Sequence, residues 1–128
     1  MVSLSSDQRE LVARTLTQVL EAIKQLQEWN ADVNNADDWL LSSEGMRHLA
    51  ANCMLIEAIG EGIKNVDKRT EGQLLVLCPD IPWHEVMAMR NHIAHGYFEI
   101  DTEFVYLVIK NDLTPLAEAV KYLLTQLV

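Results

Sequence analysis

The sequence predicts an all-α fold: an up-down bundle of four to five main helices with short helices between them. Three observations point there. Apolar residues recur at i, i+3 and i+4 over two long stretches. Only three prolines and five glycines interrupt 128 residues, too few for an all-β fold built on tight turns. The one run that reads as a strand, Leu74 to Cys78, has no second strand to pair with, so a short helix is expected there.

The elements follow in order. Ser6 or Asp7 is placed to cap a first helix that runs to about Trp29. Its stripe is Leu11, Val12, Leu16, Val19, Leu20, Ile23 and Leu26. A polar, acidic connection from Asn30 to Asp38 leads into a turn through Trp39 to Leu41. Ser42 or Ser43 starts a second long helix, to about Val66. Its stripe is Met46, Leu49, Ala50, Cys53, Ile56, Ile59, Ile63 and Val66. Gly60 within that helix weakens it unless a neighbour packs close there. Pro79 to Pro82 breaks the chain, and Pro82 suits the first turn of a third helix from Trp83 to Ala94 or Tyr97. Asp101 or Thr102 starts a fourth helix, and Asp112 with Pro115 starts a last one. The expectation is one domain over residues 1–128.

Charge and cysteines narrow the function. A formal charge of −9 is the opposite of what a generic nucleic-acid binder carries, and DNA is not an expected partner. The charge is uneven. Residues 31–45 hold Asp32, Asp37, Asp38 and Glu44 with no cation, while Lys64, Lys68, Arg69 and Arg90 give a polyanion a local approach. Cys53 and Cys78 form no CxxC pair, which suits a reduced, cytoplasmic setting with both thiols as small core residues. The first residues lack the basic and apolar regions of a secretion signal, and no apolar run is long enough to cross a membrane.

Chemistry concentrates between Arg90 and Tyr97. Arg90-x4-His95-x-Tyr97 sets a fixed cation, an imidazole and a phenol within eight residues. On a helix each residue turns about 100°. Arg90 and Tyr97 then share one face, and Asn91 and His95 share another. Arg90 and His95 stand roughly 140° apart. They converge only if the helix ends near His95 or if two copies pair across a twofold axis, which is the arrangement favoured here. The set suits RNA cleavage without metal: His95 takes the proton of a ribose 2′-OH, a second His95 gives one to the leaving oxygen, and Arg90 holds the phosphate. Asn91 can bond the phosphate or fix the imidazole tautomer. The plain alternative makes Arg90 an ion-pair partner, His95 a helix C-cap and Tyr97 a packing residue. His92-x-x-His95 beside His84 and Glu85 also has metal-ligand spacing, but no second set completes it. Glu57 and Glu61 form an i, i+4 acidic pair: a solvated face, or, for Glu61, a group near Arg90.

The stretch PWHEVMAMRNHIAHGYFEID, from Pro82 to Asp101, resembles the signature region of HepT-like proteins of the HEPN superfamily. Ile56 to Glu61, Pro79 to Trp83 and Asn111 to Leu116 resemble other segments of the same family. The likeness covers most of residues 43–128 and is looser over the first helix. It implies a HEPN-like helical domain that forms homodimers and acts as a metal-independent endoribonuclease on RNA, with no cofactor. It implies the toxin of a type VII-like toxin–antitoxin pair, held with a cognate nucleotidyltransferase antitoxin in a larger hetero-oligomer. By the resemblance, Arg90, Asn91 and His95 are catalytic and Tyr97 is the phenol that the antitoxin AMPylates; the motif assigns His92 no role, and Glu61 and His92 stand as auxiliary candidates from their positions alone. A noncatalytic subunit that binds a nucleotide, or presents substrate to the nucleotidyltransferase, is the competing reading.

Overall fold

Ser5 caps the first helix rather than Ser6 or Asp7. Its hydroxyl accepts from the Gln8 N–H at 3.1 Å, and α1 runs Ser6–Trp29. The computed structural model describes residues 3–93 and 99–127. The second helix, α2 (Ser43–Arg69), is capped by the Ser42 hydroxyl, which accepts from Gly45 N–H at 2.9 Å. It outlasts the expected end at Val66 by three residues. Thr70 closes it with Glu71 in the left-handed region (φ 53°). Gly72 N–H then donates to Asp67 carbonyl and Glu71 N–H to Lys68 carbonyl, a Schellman closure.

The two long helices are antiparallel. Asn30, after α1, exchanges amide hydrogen bonds of 2.9 and 3.0 Å with Asn52, near the start of α2. At the other end Gly62 lies against Val19. Val12, Leu16, Val19, Ile23 and Leu26 are buried at alternating steps of four and three, and Leu49, Cys53, Ile56, Ile59, Ile63 and Val66 answer them. That spacing keeps one seam facing the partner helix along its whole length. Leu11, expected in the stripe, is 38% exposed because it lies beside the seam. Between the two helices a 3-10 turn, Ala36–Leu40, buries Trp39 with its ring edge-on to Tyr106 and His48.

Leu74–Cys78 contributes a short 3-10 turn, Leu75–Leu77, in agreement with the expectation of a helix there. The expected single third helix is two: α3 (Trp83–Met87) and α4 (Met89–Ile93). Ala88 leaves helical geometry (φ −95°, ψ 6°), and its N–H is shared between the carbonyls of His84 and Glu85. Pro82 is the residue before α3 rather than inside it. Conversely, the two expected C-terminal helices run on without a break. α5 (Thr102–Leu107) passes through a π-helical turn at Val108–Asp112 into α6 (Leu113–Thr125). Pro115 has no N–H for the Asn111 carbonyl and its ring crowds it, so a wider turn just before the proline absorbs the conflict.

The buried positions of α1, α2, α5 and α6 form one core cluster, with Trp83, Val86, Met89 and Ile93 tucked against it. Three buried polar residues, Asn30, Asn52 and Thr70, are all hydrogen-bonded. Cys53 is buried, Cys78 is half-buried, and both are free thiols. No described helix is long and apolar enough to cross a membrane.

Candidate active site on α4

Gly60 explains how α3 and α4 reach their position. A Cβ there would stand 3.0 Å from the Val86 carbonyl oxygen, so the bare backbone of α2 lets the end of α3 approach. This is the close neighbour that a helical glycine requires. Val86, Met89 and Ile93 then anchor one face of the broken segment in the core. Arg90, Asn91 and His92, between those anchors, are exposed.

Arg90 therefore projects from a short, well-anchored helix. Among the described residues the ion pairs are Glu10–Arg14 and Glu118–Lys121, and neither engages Arg90. That removes the ion-pair account of Arg90 as far as the described residues go. Glu61 follows Gly60 on α2, is exposed, and makes no ion pair with Arg90. His95 and Tyr97 lie outside the described residues. Their flanks do not: the Asp101 N–H donates to the Ile93 carbonyl at 2.7 Å. Asp101 in turn caps α5 through its carboxylate, which accepts from Phe104 N–H at 3.0 Å. The chain thus leaves α4 and returns to the same place before α5 begins.

His92 faces a different neighbour from Arg90. Its ring lies 5.4 Å from that of Phe104, with the planes 34° apart. Both line a cleft of about 460 Å³ between α3–α4 and the α5–α6 helix. The sequence gives no sign of this cleft, because its far wall depends on the π turn that joins α5 to α6. Asp112 on that wall is held above the usual carboxylate range, first by burial and then by the charge of Glu85 across the cleft. Among the described residues no group of three or more His, Cys, Asp or Glu is placed to hold a metal ion.

A helical bundle that presents an exposed arginine, in no ion pair among the described residues, with an Arg-x4-His-x-Tyr sequence around it, points to a narrow class of α-helical proteins. The chain belongs to the ribonuclease HepT-like family, whose model matches residues 19–123. A probable ribonuclease HepT of Thermococcus cleftensis is 29% identical over 79% of this chain and 84% of its own length. A putative RNase of Methanocaldococcus jannaschii is 23% identical over 83% of this chain and 90% of its own. A gamma-glutamylcyclotransferase and putative RNase of the same organism is 29% identical over 88% of this chain, which corresponds to 47% of that longer protein. No solved structure matches the chain.

Proposed function

We propose that this protein is a metal-independent endoribonuclease, the toxin of a type VII-like toxin–antitoxin pair acting in the cytoplasm as a homodimer. The observation that carries the reading is Arg90: exposed, in no described ion pair, on a helix pinned by Gly60, with both flanks of the His95 segment tied beside it. Family membership and relatives named as ribonucleases support it.

In this reading two copies of one HEPN-like domain bring their α4 ends together, so that each site draws on both chains. The Arg90 guanidinium binds the scissile phosphate in a two-bond fork. A His95 imidazole takes the 2′-OH proton, and the freed oxygen attacks the adjacent phosphorus. The second His95 protonates the departing 5′-oxygen, leaving a 2′,3′-cyclic phosphate and a 5′-hydroxyl. Asn91 bonds a phosphate oxygen or fixes the imidazole tautomer. The growing charge on the phosphorane is offset by Arg90. Glu61 and His92 take no proton in this scheme.

Tyr97 is the switch. A cognate nucleotidyltransferase antitoxin transfers AMP from ATP to its phenol: the phenol oxygen loses its proton and bonds the α-phosphorus, pyrophosphate leaves, and the added phosphate sits within reach of Arg90 and repels the RNA backbone. The test is cleavage of RNA in EDTA by purified protein, with the new ends mapped. Cyclic phosphate ends that vanish in His95→Ala are expected. Cleavage unchanged in that variant, or lost to EDTA in the wild type, would sink the mechanism. Absence of any cleavage with stoichiometric binding of the nucleotidyltransferase would favour a noncatalytic subunit.

A further inference from the structure

The cleft between α3–α4 and α5–α6 has a chemistry of its own. At about 460 Å³ it is in the range that takes a small organic group. Met89, Val108 and Leu116 give it apolar walls, and the rings of His92 and Phe104, with planes 34° apart, give it an aromatic side. Its carboxylates are Asp80, Glu85 and Asp112, and no Lys or Arg lines it among the described residues. Glu85 and Asp112 repel each other across it, so an occupant that brings positive charge relieves that repulsion.

Few groups satisfy all three surfaces at once. Carboxylates only accept hydrogen bonds, so the complementary head must be a donor. The face of either ring favours a planar head that stacks, and the apolar walls favour a hydrocarbon stem. A guanidinium is planar, carries only donors, forks onto carboxylates and stacks on rings, and its three-carbon stem is apolar. An ammonium has the charge without the plane or the fork. An RNA base would bring its own phosphates against three carboxylates.

We propose that this cleft is a docking pocket for an arginine side chain of a protein partner. The guanidinium enters between Glu85 and Asp112, its plane against the His92–Phe104 side and its stem along Val108 and Leu116. The formal charge of −9 on the whole chain draws a basic partner toward it.

The test titrates full-length protein with N-acetyl-arginine amide, followed by calorimetry and by the ring resonances of His92 and Phe104. Saturable binding that moves both rings is expected, with N-acetyl-lysine amide at least about tenfold weaker. Asp112→Asn with Glu85→Gln should lose at least about tenfold in affinity at a melting temperature no lower than the wild type's. Should the double variant fail to fold, Glu85→Gln alone, on the exposed rim, reads the same loss. Equal affinity for both amides means a generic acidic surface and overturns the proposal. So does guanosine binding in place of the arginine amide, or no saturation up to tens of millimolar. No arm reads RNA cleavage, so failure here leaves the ribonuclease reading untouched.

Discussion

The backbone N–H of Asp101 donates to the Ile93 carbonyl at 2.7 Å, which ties the start of α5 to the end of α4. The same residue caps α5 with its carboxylate. One aspartate therefore fixes where the chain re-enters the fold after the Arg90 helix.

Asp101→Ala keeps the backbone tie and loses the cap. A cost of about 1 kcal/mol is expected, read as a lower urea midpoint at unchanged slope. Asp101→Asn, which can still accept from Phe104 N–H, should retain most of it. Equal losses in both variants would mean that the carboxylate does more than cap.

The buried amide pair gives a sharper contrast. Asn52→Leu leaves the Asn30 Oδ1 without a donor in the core, while its Nδ2 keeps the Leu26 carbonyl, and should cost about 1–3 kcal/mol in chemical denaturation. Replacing both with leucine removes the unsatisfied group and should recover part of that loss.

Glu71 should be improvable. It stands in the left-handed region at φ 53°, as the residue that turns the chain out of α2. Glu71→Gly should stabilise the protein by about 0.5–1 kcal/mol, measured by thermal or urea unfolding, because glycine adopts that conformation without strain. A loss of stability would show that the Glu71 side chain has a role that its backbone conformation hides.

The thiols should differ in reach. Burial first, and then the Glu57 charge, lift Cys53 from 9.0 to about 11. Folding therefore favours the protonated thiol. Its contribution to stability is full below pH 9 and is lost as pH rises from there through about 11. Ellman's reagent at pH 8 should find Cys78 first, since it is only half-buried, and Cys53 only on unfolding. Cys53→Ser should flatten the alkaline fall in stability.

A site shared between two copies makes a prediction that a site within one chain does not. Arg90→Ala and His95→Ala should each reduce cleavage by about a hundredfold or more. Wild type mixed with excess His95→Ala and allowed to exchange subunits should lose cleavage beyond simple dilution, because a heterodimer holds one His95 where the mechanism uses two. Loss in proportion to dilution only, with exchange demonstrated by mass, would mean that the residues of one chain suffice for a site.

Much of the fold is legible in the residues. The seam positions of α1 and α2 from Val12 to Leu26 and from Leu49 to Val66 follow from apolar spacing, which is a local property. Gly60 could be marked as anomalous because glycine in a helix interior costs stability unless a neighbour uses the space. The misreadings are non-local in origin. Trp83 to Ile93 has the pattern of one helix, but its anchor on Gly60 and its entry into the core are compatible with two short helices and a break at Ala88. Pro115 reads as the start of a new helix, whereas a π turn carries one helix through it.

By itself the sequence determined the helical class, the long hairpin and the candidate chemistry of Arg90, Asn91, His95 and Tyr97. Periodicity and side-chain type are written residue by residue, so these could be read without coordinates. Only the tertiary structure decided that Arg90 and His92, two residues apart, serve different surroundings: Arg90 projects into solvent, and His92 lines an acidic cleft opposite Asp112. That division depends on α3–α4 packing against α2 while α5–α6 passes alongside. It brings Glu85 and Asp112 together from distant parts of the chain, and no pattern within a single helix encodes it.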